Sequence, residues 1–418
     1  MNNKRANSGI TAVLYEENAY AKECEAQVLE CRESVSEDGK TPLYGIVLSA
    51  TVFFPEGGGQ PADEGWLINL SEENSTHAKI KVLDVQKEDG VILHYVNQPL
   101  AAGSNVKAVL DWDLRYERMQ NHSGEHLFCG LIHKLYGYEN VGFHMSGECV
   151  TVDVNGALGA EDFEKLERLA NEGIYANADI KAVYPDTPEE LDYRSKLELT
   201  EDIRVVVIDG YDACACCAPH VHSTGEIGLI KVIDFMSHRG GTRFTLKSGR
   251  WARQDYAVLQ KEISSIMRLF SAKREECHLA AERVSEQMKS QQETILTLKK
   301  QITALHGVRL EEMIRSNPGA TAVLYFDEAM DEAQLRALVN DGVTIAAGLI
   351  AGFVGKDGEG YRYIIGKNES AEEPDLRVLA KEMNEALQGR GGGSVKMIQG
   401  SLAASRGEIE EYFKKYQS

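Results

Sequence analysis

The sequence predicts a multidomain α+β protein, and three observations support this fold class. The 418 residues are enough for about two to four domains. Short β-rich stretches fill residues 1 to 112, whereas residues 113 to 252 mix strand-like and helix-like patterns. No glycine or proline occurs between Gly249 and Gly307, as in long helices. We therefore expect a small barrel or sandwich at 1–112, an α+β domain at 113–252, a long helix or helical hairpin at 253–310 and an α/β domain at 311–418.

Six apolar stretches separated by glycine-bearing turns are the predicted strands of the first domain. Their close spacing without helical periodicity indicates a small barrel or sandwich. They lie at 26–31, 44–49, 51–54, 79–83, 91–95 and 105–110.

A glycine-rich loop follows the third of these strands. Gly57, Gly58 and Gly59 precede Gln60 in the segment Phe-Pro-Glu-Gly-Gly-Gly-Gln-Pro that begins at Phe54. Because glycine costs conformational entropy on folding, the run indicates either a flexible hairpin tip or a backbone that something approaches closely.

Two pairs of potential metal ligands lie ninety residues apart in the second domain. His122 and His126 are four residues apart on a predicted helix at about 115–136, so their imidazoles share one face. Cys216 and His220 have the same spacing on a predicted turn between strands at about 204–208 and 227–234. Three imidazoles and one thiolate suit tetrahedral Zn²⁺, so we predict that all four residues bind one zinc ion. The neighbouring thiols of Cys214 and Cys217 leave the choice of cysteine open.

Charge gives a mixed indication about nucleic acid. The chain has 45 basic and 65 acidic residues, and its net charge of −20 generally disfavours polyanionic partners. The stretch from His238 to Arg253 nevertheless contains five basic residues and no acid. It indicates either a surface for nucleic-acid phosphates, with Arg239 and Arg243 as predicted substrate-binding residues, or an ordinary solvated strand face.

The helical segment carries an apolar stripe that shifts after Val284 to Met288, Ile295, Leu298, Ile302 and Leu305. A stripe of that length would face water in an isolated helix, so we expect a homodimer.

The last hundred residues predict a β-α-β-β-α order. The predicted strands are 320–326, 343–347 and 361–365, and the predicted helices are 331–339 and 375–387. Gly389 to Ser394 is predicted to be a glycine-rich loop that admits another backbone or RNA phosphates.

Cellular location is predicted from missing signals. Residues 1–20 lack an apolar core, and no run reaches the ~20 apolar residues that span a bilayer. We expect a cytoplasmic protein without a membrane partner.

The motifs together resemble the editing half of alanyl-tRNA synthetases. The glycine-rich loop with Gln60, the pair His122 and His126, the pair Cys216 and His220, and the glycines after Gly389 follow the family's order. The chain is similar to the long-form, AlaX-type editing proteins that act in trans. The resemblance implies an N-terminal β-barrel, a zinc-bearing editing domain and a C-terminal domain of the type associated with DHH phosphoesterases.

The resemblance also implies a function. It implies hydrolysis of mischarged tRNA(Ala), chiefly seryl-tRNA(Ala) with glycyl-tRNA(Ala) as a second substrate. Only about fifty residues precede the glycine-rich loop, too few for an aminoacylation core, so we expect no ligase activity. Gly58, Gly59 and Gln60 would line the aminoacyl pocket, with Gln60 as a predicted catalytic residue. Glu125, between the two histidines, is predicted either as a general base or as a carboxylate that supports the ligands or lies at the surface.

Two other functions fit parts of the pattern. His122 to His126 also matches the His-x-x-Glu-His signature of inverted zinc proteases, in which Glu198 would be a carboxylate ligand. A zinc-stabilised tRNA-binding protein without catalysis is the second alternative.

Overall fold

An antiparallel barrel forms the N-terminal part of the chain. The computed structural model describes residues 11–36, 41–70, 79–185, 191–195, 203–368, 370–371 and 374–416. Its first elements are β1 (Ala12–Val13), α1 (Leu14–Glu17), β2 (Glu23–Val35), β3 (Pro42–Leu48), β4 (Ala50–Thr51), β5 (Gly65–Asn69), β6 (Lys79–Glu88), β7 (Val91–Val96) and β8 (Asn105–Leu110). Six of these strands close a barrel in the order β2-β3-β7-β6-β5-β8. The predicted mixed α+β fold with a barrel is confirmed.

The barrel differs from the prediction at two places. Strand β5 was absent from the predicted set, and the predicted strand 51–54 is wrong beyond Thr51. There, Phe53 N donates to Thr51 Oγ1 at 3.0 Å and Phe54 N donates to Asp63 Oδ2 at 2.7 Å. Side chains, rather than a neighbouring strand, therefore satisfy these backbone groups.

A buried helix organises the following region. Its elements are α2 (Trp112–Tyr136), β9 (Asn140–Ser146), β10 (Cys149–Val154), α3 (Ala160–Ala176), β11 (Ile180–Val183), β12 (Val205–Ile208), β13 (Asp212–Ala215), β14 (Ile230–His238), β15 (Gly241–Ser248) and α4 (Gly249–Phe270). The sheets run β14-β15-β10-β9 and β11-β12-β13. Helix α2 begins after Asp111, whose carboxylate accepts a hydrogen bond from Leu114 N at 3.3 Å, and ends at Gly137 with φ of 70°.

The middle of α2 is enclosed on all sides. Every residue from Asn121 to Ile132 is buried, so both predicted histidine ligands lie in the interior. Strands β9 and β13 had no clear sequence signal. The predicted strand at about 227–234 begins later, because Thr224–Ile227 form a 3₁₀ helix before β14.

The chain divides into two compact units, Met1–Ser265 and Ile266–Ser418. The helical segment crosses this boundary as two helices, α4 and α5 (Cys277–Ser316), with a 3₁₀ turn at Arg274–Glu276 between them. One continuous helix is therefore wrong. Ser271 adopts a φ of 50° at the interruption, although no glycine or proline marks it. Among the described residues, no helix combines the length and apolarity needed to cross a membrane.

The second unit is built on a five-stranded sheet. After α5 come β16 (Ala322–Asp327), α6 (Glu332–Ile345), β17 (Leu349–Lys356), β18 (Gly360–Lys367), α7 (Leu376–Ala386), β19 (Arg390–Gly393), β20 (Met397–Leu402) and α8 (Arg406–Phe413). The strand order is β16-β17-β18-β20-β19, and only the β16-β17 pair is parallel.

Two predictions in this unit are wrong. Residues 343 to 345 end helix α6 instead of starting a strand, and the strand begins at Leu349. The glycine-rich segment after Gly389 forms the edge strand β19. A side chain at Gly391 would lie 2.3 Å from Gln399 O of β20, so the loop is wrong but the predicted close approach of another backbone is confirmed.

Candidate metal centre

Four side chains from α2 and from the loop after β13 meet inside the first unit. Cys216 Sγ lies 3.6 Å from His122 Nε2 and 3.4 Å from His220 Nε2. The potential ligand atoms of these residues and of His126 all lie within 4.8 Å of one another. Zinc bonds of about 2.3 Å to sulfur and 2.0–2.1 Å to nitrogen place tetrahedral N and S ligands roughly 3.5 Å apart. The observed separations therefore fit a tetrahedral zinc site.

Each histidine has a polar partner at its other ring nitrogen. His122 Nδ1 lies 2.6 Å from Gln60 Oε1, and His220 Nδ1 lies 2.9 Å from Ser123 Oγ. His126 Nδ1 lies 3.3 Å from Asp212 Oδ2, which is an ion-pair contact without hydrogen-bond geometry. Such partners orient an imidazole, fix its tautomer and leave Nε2 for a metal. Sequence spacing had identified neither Ser123 nor Asp212, since their partners lie 97 and 86 residues away.

The electrostatics prepare Cys216 and His220 for a cation, whereas His126 must give up a proton before it can coordinate one. Burial opposes ionisation of Cys216, but the neighbouring His122 and His220 hold the pKa of this thiol well below its usual value. Burial lowers the pKa of His220 to about 3, so its imidazole is neutral. Burial also disfavours the cation at His126, yet Asp212 and Cys216 raise the pKa of that imidazole well above its ordinary value. A thiolate and a neutral imidazole are the forms that coordinate zinc.

The geometry distinguishes the three neighbouring thiols. Cys216 Sγ contacts two of the histidines, whereas Cys217 is exposed and is absent from the metal-ligand groups formed by the described residues. Cys214 lies near His126 and Asp212, with ligand atoms of the three within 4.8 Å of one another. A cation is disfavoured there, because Arg194 already makes two hydrogen bonds to the Asp212 carboxylate, at 2.8 and 2.9 Å.

The loop that carries Cys216 and His220 is held by one arginine. Arg204 Nη1 donates to Cys216 O at 2.7 Å and to Ala218 O at 3.0 Å. Cys216 N in turn donates to Arg204 O at 3.0 Å. These bonds to the backbone fix the loop without contacting the ligand atoms themselves.

The glycine-rich loop packs against the centre. Gly59 has a φ of 85°, and a Cβ there would lie 2.4 Å from Phe143 O, while Met145 N donates to Gly59 O at 2.9 Å. The Phe143 ring stacks on His122 with centroids 4.8 Å apart. The close approach that the glycines indicated is therefore an approach of strand β9, which leaves Gln60 fully buried against His122. Gly58 has a φ of 59°, is exposed and has open space around it.

A buried ion pair ties this loop to α2. Arg115 Nε lies 2.9 Å from both carboxylate oxygens of Asp63, and both side chains are essentially inaccessible to solvent. Arg115 also donates to Val52 O at 2.7 Å and to Ala19 O at 3.1 Å. Because its donors are satisfied on all sides, this arginine sets the position of the barrel loop relative to the histidine helix.

Comparison with known proteins relates the chain to alanyl-tRNA synthetases and alanyl-tRNA editing proteins. Family models described as "tRNA synthetases class II (A)" and "Threonyl and Alanyl tRNA synthetase second additional domain" match residues 2–114 and 203–245. The alanyl-tRNA editing protein AlaX-L of Pyrococcus horikoshii is 26% identical over 95% of this chain and 96% of its own length. The alanyl-tRNA editing protein Aarsd1 of Rattus norvegicus is 26% identical over 97% of this chain and 98% of its own. The chain is similar to the alanyl-tRNA editing proteins.

The similarity to the two editing proteins confirms the resemblance predicted from the motifs. The alanine--tRNA ligase of Halobacterium salinarum is 31% identical over 85% of this chain but only 38% of the ligase. The chain thus spans about two fifths of the length of the ligases it matches. The C-Ala domain from Aquifex aeolicus alanyl-tRNA synthetase aligns at 20% identity with 24% of this chain and 93% of that domain. Its TM-score of 0.22 is too low to argue for a shared fold.

Glu125, which lies between the two histidines of α2 in the sequence, is buried in the interior. It is 3% exposed, and its Oε1 accepts a hydrogen bond from Asn140 Nδ2. Its Oε2 lies 4.0 Å from His126 Nε2. A surface position is therefore wrong, and the general-base role stays a prediction.

The basic stretch from His238 to Arg253 is largely neutralised within the chain. Arg243 pairs with Asp153 at 2.7 Å, and Lys247 pairs with Asp255 at 2.6 Å. Arg250 contacts Asp113 at 3.1 Å and Glu117 at 3.0 Å. Arg239 lies at the β14-β15 turn with a φ of 47°. Neither Arg239 nor Arg243 belongs to the metal cluster, and the intramolecular pairs weaken the case for a phosphate surface.

The protease alternative has no structural support in the described residues. Cys216 and His220 complete the cluster with both histidines of α2, whereas such proteases use a carboxylate. Glu198, the predicted carboxylate, lies outside the described residues.

Proposed function

We propose that this chain hydrolyses mischarged tRNA(Ala) in trans, chiefly seryl-tRNA(Ala) and also glycyl-tRNA(Ala). The observation that carries the proposal is the juxtaposition of the three-histidine, one-cysteine cluster with Gln60 of the glycine-rich loop. The alanyl-tRNA editing proteins support it through similarity over nearly their whole length.

Gln60 is the proposed catalytic and substrate-binding residue. Its Oε1 is occupied by His122, but its Nε2 is buried and has no partner among the described residues. A buried amide donor without an acceptor is costly, so it favours a ligand that supplies an oxygen. The ester carbonyl or the serine hydroxyl can do so. Alanine lacks that hydroxyl, which gives a polar site a basis for preferring the seryl ester over the alanyl ester. The glycyl ester lacks the hydroxyl too and is proposed from the similarity to the editing proteins alone.

Zinc is the proposed cofactor, held by His122, His126, Cys216 and His220. When bound, zinc supplies a Lewis acid that polarises oxygen groups or lowers the pKa of a water. The surrounding side chains position the ligands. Gln60, Ser123 and Asp212 contact the three imidazoles, and Arg204 binds the backbone of the loop that carries Cys216. Four protein ligands make a closed set, so substrate or water reaches the ion only by displacing one of them, and without such a displacement the ion only holds the four side chains in place.

Glu125 is the alternative catalytic group. Its carboxylate lies beside His126 and could accept a proton from water, or it could only hold Asn140. Glu125→Gln keeps the shape and removes the base. A base role predicts a loss of about 100-fold or more in deacylation at unchanged zinc content. A supporting role predicts a loss of less than about tenfold.

Deacylation assays test the proposal directly. Purified protein is incubated with seryl-, glycyl- and alanyl-tRNA(Ala), and ester loss is compared with the spontaneous rate. We expect fast loss of the seryl ester, slower loss of the glycyl ester and near-spontaneous loss of the alanyl ester. Spontaneous rates for all three esters would reject the deacylase and leave a non-catalytic tRNA-binding protein.

A homodimer is the proposed assembly, and the second unit provides its surface. On α5, Met288, Ile295, Leu298, Ile302 and Leu305 follow a heptad spacing and are each about half exposed or more. A second copy of α5 would cover this stripe with matching apolar residues. Ile295→Lys combined with Ile302→Lys should therefore convert a dimer into a monomer in light scattering, whereas Thr297→Lys, off the stripe, should not. A monomeric native protein would reject this interface.

A further inference from the structure

An aromatic cluster lies beside the loop that carries the metal ligands. It consists of Tyr20 before β2, Trp112 and Tyr116 on the first turns of α2, and His222 after the metal loop. The rings of Tyr20 and His222 stack with centroids 4.0 Å apart and an interplanar angle of 28°. Trp112 lies 5.5 Å from Tyr20 and 5.7 Å from Tyr116. We call these four side chains the aromatic platform.

One carboxylate holds the aromatic platform in place. Glu226 Oε2 accepts hydrogen bonds from Tyr20 OH at 2.5 Å and from Tyr116 OH at 3.1 Å. Its Oε1 accepts a hydrogen bond from His222 N at 3.2 Å. Because both hydroxyls and the loop backbone are tied to the same group, the rings are fixed before any ligand arrives.

The aromatic platform is open to solvent and carries a cation. His222 is exposed, and the other three rings are half-buried. The exposed Lys22 places Nζ 4.6 Å from the Trp112 ring centroid and makes no ion pair with any residue that the structure describes. Aromatic faces beside an unpaired lysine are the combination that binds single-stranded nucleic acid, through base stacking and phosphate contact.

The position of the aromatic platform connects it to the metal centre. His222 follows the ligand His220 by two residues, so their Cα atoms are at most about 7 Å apart. We propose that the aromatic platform stacks bases at the single-stranded 3′ end of the RNA substrate while the ester lies at the metal centre. This inference rests on the proposed function for the identity of the substrate, but the binding site stands on its own contacts.

Binding of two uncharged RNA hairpins tests the inference. One hairpin ends in a four-nucleotide single-stranded 3′ extension, and the other is blunt. The native protein should bind the extended hairpin about tenfold or more tightly than the blunt one. Trp112→Leu and His222→Ala should each remove most of that difference, because they delete a stacking face.

Trp66→Leu is the matched control. Trp66 on β5 is also half-buried and also lies under a lysine, with Lys79 Nζ 4.3 Å from its ring centroid. This variant should keep the full preference for the extended hairpin. Equal zinc content and equal unfolding midpoints show that the variants are folded. Because His222 is exposed, His222→Ala should disturb folding less than Trp112→Leu.

The outcomes separate this inference from the proposed function. If the extension adds no affinity in the native protein, or if Trp112→Leu and Trp66→Leu behave alike, the aromatic platform does not bind RNA. If the variants of the platform deacylate seryl-tRNA(Ala) with native kcat and KM, the deacylase stands and the platform is rejected. If the native protein deacylates nothing but shows the extension-dependent binding, the platform stands and the deacylase is rejected.

Discussion

Gln60 Oε1 lies 2.6 Å from His122 Nδ1 and joins the glycine-rich loop of the barrel to the histidine helix. The contact fixes the tautomer that presents His122 Nε2 to Cys216, so the loop contributes to the metal centre without supplying a ligand. The same amide leaves Nε2 without a described partner. One side chain therefore links metal geometry to the proposed substrate contact.

Removing this amide should weaken metal binding. Gln60→Leu keeps the volume but deletes the acceptor for His122, and partners of this kind are worth about 10–100-fold in metal affinity. Zinc release to a competing chelator measures the effect. Gln27→Leu, at an exposed amide on β2, should leave zinc affinity unchanged. Equal affinities for the Gln60 variant and the native protein would contradict the assigned role.

Two of the bidentate carboxylate–arginine pairs in the first unit should contribute differently to the free energy of unfolding. Asp212 and Arg194 are buried, with side chains 2% and 8% exposed, whereas Asp153 and Arg243 are 21% and 40% exposed. Asp212→Asn should therefore destabilise the protein by about 3–5 kcal/mol, because Arg194 keeps a buried, uncompensated charge. Asp153→Asn should cost less than about 1 kcal/mol. Urea unfolding measures both, and equal costs would contradict the interpretation.

Adjacent glycines should respond differently to alanine. A Cβ at Gly58 has open space around it, so Gly58→Ala should lower the free energy of unfolding by only about 1 kcal/mol, the cost of a left-handed φ for alanine. Gly59→Ala also forces Cβ against Phe143 O and should cost about 3 kcal/mol or more. Urea unfolding and zinc content measure the two variants. If Gly58→Ala proved the more damaging, the described packing of the loop on β9 would be incorrect.

His94 should make the stability of the barrel depend on pH. Burial lowers the pKa of this imidazole to about 4 from an ordinary value of 6.5, and its nitrogens contact Ile46 O and Thr51 Oγ1. The unfolded chain takes up a proton below pH 6.5 while the folded one does not. Stability present above pH 6.5 is therefore lost as the pH falls towards 4, by about 3 kcal/mol.

His94→Gln should remove this part of the pH dependence. The comparison is the free energy of unfolding at pH 7 and pH 4.5 for the native protein and the variant, each with equal zinc content. His133→Gln changes an exposed histidine and is the control. Its free energy of unfolding should depend on pH as that of the native protein does. An unchanged slope in the His94 variant would show that other groups cause the acid sensitivity.

Local spacing predicted much of the fold and of the site. Helix α2 followed from its periodicity and its glycine terminus, and the two four-residue pairs identified the side chains that meet in the cluster. These local patterns predict contacts correctly because residues three or four apart on a helix or in a tight loop must lie close together. The barrel strands other than β5 were predicted from short apolar stretches between glycine-bearing turns, which are also local features of the sequence.

Contacts between distant segments were not predictable in the same way. Nothing at Asp212 or Ser123 signals the histidine that each one orients. The basic stretch contains no acidic residue of its own, because the carboxylates that pair with Arg243 and Arg250 come from β10 and α2. The interruption at Ser271 likewise has no local breaker. Tertiary packing, rather than propensity, decides such positions.

The most direct test of the metal-dependent deacylase is zinc stoichiometry measured together with seryl-tRNA(Ala) hydrolysis for Cys216→Ala and Cys217→Ala. We predict one zinc per chain and fast hydrolysis for the native protein and the Cys217 variant, and loss of both for the Cys216 variant. Full zinc content and native hydrolysis in Cys216→Ala would contradict the account.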